Sequence, residues 1–357
     1  MAKIIKLVIY LALIMSQLVL NVSFVCSSEK VSLPVKGIHL TSWAAGSKQY
    51  RVILETILST TQVNAVVIAI KEYHGEVYIR VKESQELKTY VNAIPDLPDF
   101  IKKLKEQNVY TIARVVVFKD DLLARRRPEL SVKNKDGSIW TNNRNIAWVD
   151  PYRKEVWDYN LSIAEKAAEI GFDEIQFDYI RFPSDGKTAE CQYSVIHSTA
   201  SANKALVDFL KTAKKRLQSK KIKISACLFG LTTTVAHDMG IGQNIETMAK
   251  YVDYICPMIY PSHYALGELG YKIPEKNPYE IIARSIIYAK ERLKDDAYKI
   301  RPYLQDFSLN YPYKEREVRA QLKACRDNGV DTWLLWNPVS KYTLAAIKKT
   351  VIATETK

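Results

Sequence analysis

The run Gly171-Phe172-Asp173-Glu174-Ile175-Gln176-Phe177-Asp178-Tyr179-Ile180-Arg181-Phe182-Pro183 sets polar side chains at alternate positions. Glu174, Gln176 and Asp178 are separated by the apolar Ile175 and Phe177. Strand side chains point to opposite faces with period two, so one face packs on apolar surface and the other carries two carboxylates and an amide into an interior. A buried acidic row is costly unless its charges are paired or used. That pattern is the mark of an active-site strand, and Asp178, which closes the row, is the leading candidate for a reacting carboxylate. The structural alternative is an ion pair of Asp178 with Arg114 or Arg181.

Further β-type runs must hold this strand. They fall at 35–41, 64–70, 109–115, 174–179, 222–228, 254–259, 300–305 and 331–336. Helical patterns follow each of them, around 48–60, 98–107, 152–170, 201–219, 244–251, 278–295, 314–328 and 340–350. Eight strand–helix units are the count of a (β/α)8 TIM barrel in the α/β class. Asp150 is the expected N-cap of the 152–170 helix, Pro151 its first residue and Gly171 its stop. Helix-to-strand turns are short, whereas strand-to-helix connections at 116–150, 183–200, 229–243 and 260–277 are long. In such barrels the latter loops build the functional face. A doubly wound sheet would also alternate, but Gly37-Ile38-His39-Leu40-Thr41-Ser42 is not a glycine-rich phosphate turn. The barrel is expected over residues 34–350.

Alternation along each strand gives an inward set: His39 and Thr41, Lys71, Arg114, Gln176 and Asp178, Met258 and Tyr260, Tyr303 and Gln305, and Trp336. Strand ends are polar or aromatic and strand starts aliphatic, a gradient that suits a polar ligand at the top. His39, Lys71, Arg114, Gln176, Arg181, Tyr260, His263, Gln305 and Trp336 are the expected binding residues. Tyr260 and Trp336 offer flat faces to the C–H surface of a sugar ring, and His263 lies where it could donate to a hydroxyl. Arg181 is equally readable as a clamp for loops. His74 and His237 have no second ligand at metal spacing, so neither a zinc site nor any other cofactor is expected.

The chain has 357 residues, 47% hydrophobic and 25% charged, an ordinary globular composition. Lys3 and Lys6 precede an apolar run at 7–20, followed by Cys26, Ser27 and Ser28. Residues 1–28 read as a signal peptide, with an uncleaved N-terminal anchor as the alternative. Lipid attachment at Cys26 is the weaker reading, since no small residue directly precedes it. A secreted or cell-surface location follows. Cys227 and Cys256 sit in apolar runs, Cys191 and Cys325 lack paired spacing, and no disulfide can be assigned. A net charge of +13 invites nucleic-acid binding, but the lysines are scattered and only Arg125-Arg126-Arg127 cluster. A basic surface suited to anionic envelopes or acidic polymers fits better, with no nucleic-acid partner.

The Gly171–Pro183 segment, 114–120, Trp148-Val149-Asp150-Pro151, 254–264 and Trp333-Leu334-Leu335-Trp336-Asn337 resemble the bacterial putative glycoside-hydrolase domain family, together spanning about 34–340. The resemblance implies a barrel and glycosidase chemistry without naming a substrate. A fainter likeness to chitinases, whose fourth strand reads D-x-x-D-x-D-x-E, gives Asp173, Gln176, Asp178 and Ile180; the final glutamate is absent. Ala69 stands where the glycosidase-like family often has an acidic residue nearby. Glycosidases use two carboxyl groups, about 5–5.5 Å apart when retaining and about 6.5–9.5 Å when inverting. Asp178 is then the nucleophile or base, kept charged by Arg114 or Lys71. Glu72 and Asp120 are equal candidates for its partner, with Asp306 behind them. The substrate would be a polysaccharide or cell-envelope glycan. The competing function is a barrel that binds surface glycan without cleaving it.

Overall fold

The computed structural model describes residues 34–349. The expected leader lies outside them. Eight parallel strands close in sequence order, β1 to β8, with β8 pairing back onto β1. They are β1 (Lys36–Leu40), β2 (Ala65–Lys71), β3 (Tyr110–Val116), β4 (Glu174–Asp178), β5 (Lys223–Phe229), β6 (Tyr254–Ile259), β7 (Tyr303–Gln305) and β8 (Trp333–Trp336). The outer helices are α1 (Lys48–Thr60), α2 (Leu97–Glu106), α3 (Lys154–Ile170), α4 (Thr199–Leu217), α5 (Ile245–Ala249), α6 (Pro278–Leu293) and α7 (Glu315–Asp327). The expected eighth helix reduces to a single 3-10 turn at Leu344–Ile347. The fold is a TIM barrel.

Period two splits the strands into two cores. Ile38, Leu40, Val66, Ile68, Val115, Ile175, Phe177 and Leu335 face the helices in the larger cluster. Val67, Ile112, Cys227, Cys256, Tyr303 and Leu334 fill the barrel itself. Polar residues sit inside as well. At the bottom Glu174 pairs with Arg301, both fully buried, and Tyr110 Oη donates to Glu174 at 3.0 Å. In the middle Gln176 accepts from Tyr303 Oη at 2.7 Å. Asp178 stands at the top, so the polar row of β4 runs up the inside of the barrel.

Two local expectations change. Helix α3 starts at Lys154, and Asp150 instead accepts from the amides of Tyr152 and Ser194, tying two loops together. Gly171 does stop the helix, in a left-handed conformation at φ 105°. Strand β7 shrinks to three residues because Pro302 has no amide to give to a ladder.

Candidate active site

The site begins with a bulge in β2. Its register against β3 shifts between Ala69 and Lys71, so Ala69 pairs with the inward Arg114 while Lys71 pairs with the outward Val115. The bulge turns Lys71 away from the mouth. Its ammonium is fully buried against the helix layer, 2.7 Å from Asp120 and 2.6 Å from the Val116 carbonyl, with the Tyr159 ring 5.7 Å away. Burial pushes the Lys71 pKa down, and Asp120 offsets part of that shift. Asp120 is fully buried and also caps the short helix Asp121–Arg126 through the Leu123 amide. Lys71 and Asp120 therefore form an internal brace and do not line the mouth.

The same bulge brings Glu72 inward. Arg114 Nη1 donates to Glu72 Oε1 at 3.1 Å, and its Nε and Nη2 both reach Asp178 Oδ2, at 2.8 and 2.7 Å. The other Asp178 oxygen accepts from the Tyr179 amide at 2.7 Å. One guanidinium thus bridges two carboxylates. Burial opposes the charge of Arg114, but Glu72 and Asp178 outweigh it and raise its pKa well above the usual value. The guanidinium also lies 5.0 Å from the Trp336 ring centroid, and His39 stacks on that ring at 4.0 Å. Burial first, and Arg114 second, push the His39 pKa well below its ordinary value.

Beside this pair opens a cavity of about 430 Å³, within the usual size range of small-molecule sites. Asp178, Arg181, Tyr260, His263 and Trp336 line it, as do Tyr303 and Met258 of the inward set. Arg114, Glu72 and His39 stand behind that wall. Gln176 and Gln305 do not reach the cavity. Gln176 is locked to Tyr303, Ser225 and Cys256, and Gln305 ties the Ser262 amide to the Phe307 carbonyl. Asp306 is also withdrawn, accepting from the amide and hydroxyl of Thr343.

Arg181 packs its guanidinium among rings: Phe229 at 4.5 Å, Trp148 at 4.8 Å and Tyr179 at 5.1 Å. Its Nη1 donates to the Phe182 carbonyl and the Ser184 hydroxyl. Tyr179 follows Asp178 with φ at 49°, a left-handed conformation rare for an aromatic residue. Its carbonyl, held by the Phe118 amide at 3.3 Å, helps keep it there.

The model for the family described as the putative glycosyl hydrolase domain matches residues 37–342. The chain belongs to that family. A protein from Ruminiclostridium thermocellum ATCC 27405, described as hypothetical, is 32% identical over 53% of this chain and 96% of its own, with a TM-score of 0.49. The PgaB (BpsB) glycoside hydrolase domain from Bordetella bronchiseptica is 12% identical, with a TM-score of 0.63 over 86% of this chain and 95% of its own. A class V chitinase from Pseudomonas fluorescens Pf-5 is also 12% identical, with a TM-score of 0.52 over 88% and 97%. No match was found among curated proteins. Family membership places the chain among the glycosyl-hydrolase-type barrels, and the low-identity neighbours show the fold alone.

Within this hydrolase domain the loops supply lining that strand alternation could not reach. Phe229 ends β5, Gly230 and Leu231 follow it, and Met239 and Gln243 come from the loop beyond. Gln243 pins that loop by donating to the Ile180 and Cys227 carbonyls while accepting from the Phe229 amide. A glutamine straight after Met239-Gly240-Ile241-Gly242 was the available signal. Among the described residues no group of three or more His, Cys, Asp or Glu side chains is arranged to hold a metal, and Cys191, Cys227, Cys256 and Cys325 are free thiols.

Proposed function

We propose that this barrel hydrolyses a glycosidic bond in a polysaccharide or cell-envelope glycan, with Asp178 and Glu72 as its two carboxyl groups. The observation that carries the reading is the shared Arg114 guanidinium, which ties Glu72 to Asp178, the carboxylate that lines the cavity. Asp178 is held by three N–H donors and faces the cavity, which suits a fixed nucleophile or base. Glu72 makes a single contact to Arg114 and its side chain is 21% exposed, so it is the group free to take up a proton and pass it to the leaving oxygen. Asp120 drops out as partner because Lys71 and a helix cap consume its carboxylate. Tyr260 and Trp336 provide ring faces for the sugar.

A second reading, glycan binding without cleavage, draws on the same arginine: donation to both carboxylates opposes keeping a proton on either. The deciding experiment measures reducing-end release from a panel of surface and storage polysaccharides by wild type, Asp178→Asn and Glu72→Gln, each checked for folding by circular dichroism. Turnover by wild type that collapses in both variants is the expected result. Glycan binding by all three proteins with no turnover by wild type would establish the binding barrel instead. The charged start and the apolar run at 7–20 support action outside the cytoplasm. Mass spectrometry of the mature N-terminus tests that point, and a retained leader on the exported protein would argue for an anchor.

A further inference from the structure

We infer that the mouth selects a glycan carrying an anionic substituent, and that Arg181 receives it; this rests on the carbohydrate reading of the same cavity. Arg181 is 6% exposed and lines the cavity beside Asp178. Among the described residues it forms no ion pair, and only its Nη1 finds protein acceptors. Its Nε and Nη2 have no hydrogen-bond partner there, yet they are not among the buried unsatisfied atoms, so both remain open to solvent at the cavity wall. Contrast Arg114, whose three nitrogens are all spent on carboxylates.

A second cation shares the same rings. Lys119 Nζ lies 4.9 Å from the Tyr73 ring, 5.2 Å from Tyr179 and 5.9 Å from Trp148. It is half-buried, and no carboxylate pairs with it among the described residues. Asp185 and Asp178 are the acids within electrostatic reach of both cations, but Asn142 engages the first at 2.7 Å and Arg114 pairs with the second. Two cations thus share the Tyr179 and Trp148 rings, and of this group Arg181 and Tyr179 line the cavity. Burying an unpaired cation is unfavourable, and ring faces offset only part of the cost. An incoming anion completes the site, because a planar guanidinium with two free N–H groups matches a carboxylate or sulfate oxygen pair. A neutral sugar leaves those donors on water.

The test uses matched glycans that differ only in charge: polygalacturonate against its carboxyl-reduced form, and chondroitin sulfate against its desulfated form. Binding to the full chain is measured for wild type, Arg181→Gln, Lys119→Gln and Lys211→Gln. Lys211 lies on the exposed face of α4, so its variant removes the same charge far from the mouth. The expected result is that one charged member binds about tenfold or more tighter than its neutral match, and that Arg181→Gln removes the preference. The pair that responds distinguishes carboxylate from sulfate. Lys119→Gln should lower the same preference several-fold without depending on a buried substitution, and Lys211→Gln should leave it unchanged.

Equal binding of charged and neutral partners, or an equal loss in Lys211→Gln, overturns the inference and leaves a neutral-glycan hydrolase standing. Charge-selective binding through Arg181 with no turnover sustains the inference and sinks the hydrolase. No binding to any of the four glycans overturns the assignment of Arg181 to these anions.

Discussion

Replacing Arg114 with methionine tests whether one guanidinium holds the carboxylate pair together. The substitution keeps most of the side-chain length and removes every guanidinium donor to Glu72 and Asp178. Removing one partner from a buried ion pair costs about 3–5 kcal/mol, because the other charge is left uncompensated in the interior. Asp178, with its side chain 5% exposed, carries most of that penalty; Glu72, at 21%, is the better hydrated. The Tyr179 amide still reaches Asp178, which places the expected loss near the lower end, at about 3 kcal/mol. Adding Asp178→Asn removes the stranded charge, so the double variant should regain about 1 kcal/mol or more relative to additivity. Arg114→Lys should fall between the two, since a point charge cannot span both acids as a fork does. Urea unfolding followed by tryptophan fluorescence reads wild type, both single variants, the double variant and Arg114→Lys alike, with Trp336 beside the altered site. A single variant within about 0.5 kcal/mol of wild type, or strictly additive losses, would refute the bridging role.

Three further outcomes are expected. Arg301→Met strands Glu174 at the barrel bottom and should lower stability by about 3–5 kcal/mol, while glycan binding measured on the remaining folded protein is unchanged; a stability near wild type would show that Glu174 finds another partner. His39 stays neutral in the fold while the unfolded chain takes up its proton near pH 6.5, so its contribution to stability is present above that pH and lost as pH falls below it, by up to about 1.4 kcal/mol per pH unit. Stability curves from pH 7 to 5 should therefore be flatter for His39→Gln, and parallel curves would contradict the neutral, buried imidazole. Gly75→Ala sets a Cβ 2.3 Å from Asp120 Oδ1 at φ 96°, whereas Gly137→Ala meets nothing within 4 Å at φ 85°. Thermal unfolding should show the first variant well below the second, which loses only the backbone cost of about 1–2 kcal/mol; equal losses would mean that the turn packed on Gly75, Asp120 and Leu122 included, gives way freely.

The barrel was legible because period-two strands and long loops on one side leave a strong pattern in sequence. The fourth strand was the clearest part: its three polar residues do face inward, two of them spent on structure. Glu174 pairs with Arg301 and Gln176 with Tyr303, so only Asp178 reaches the cavity. The second strand misled, because alternation continues past Ala69 and assigns Lys71 inward. A bulge has no dependable local signature, and this one exchanges the faces of Lys71 and Glu72. Asp120 reads in sequence as a candidate catalytic partner, whereas the structure spends it on a helix cap and on Lys71. Asp150 was mistaken for a cap for the converse reason, since an Asx turn and an N-cap begin with the same residue types. Arg181 appeared as a clamp or a contact, and the structure gives it both a clamp through Nη1 and two free donors.

The β2 bulge and the Arg114 bridge are parts of one device. Two carboxylates brought together on a barrel rim repel each other, and the repulsion grows as water is removed. Arg114 offsets that repulsion from between them, but it can do so only if Glu72 turns inward. The turn is fixed from outside the barrel, where the Lys71 ammonium is held by Asp120 and by the Val116 carbonyl in a fully buried pocket. An inward Lys71 would set a second cation near Asp178 and send Glu72 into the helix layer without a partner. The buried Lys71–Asp120 pair thus selects the register that assembles the site, a use of a buried ion pair for specificity rather than net stability. A residue that sequence alone assigns to substrate binding acts from the helix layer, by deciding which carboxylate turns inward to Arg114.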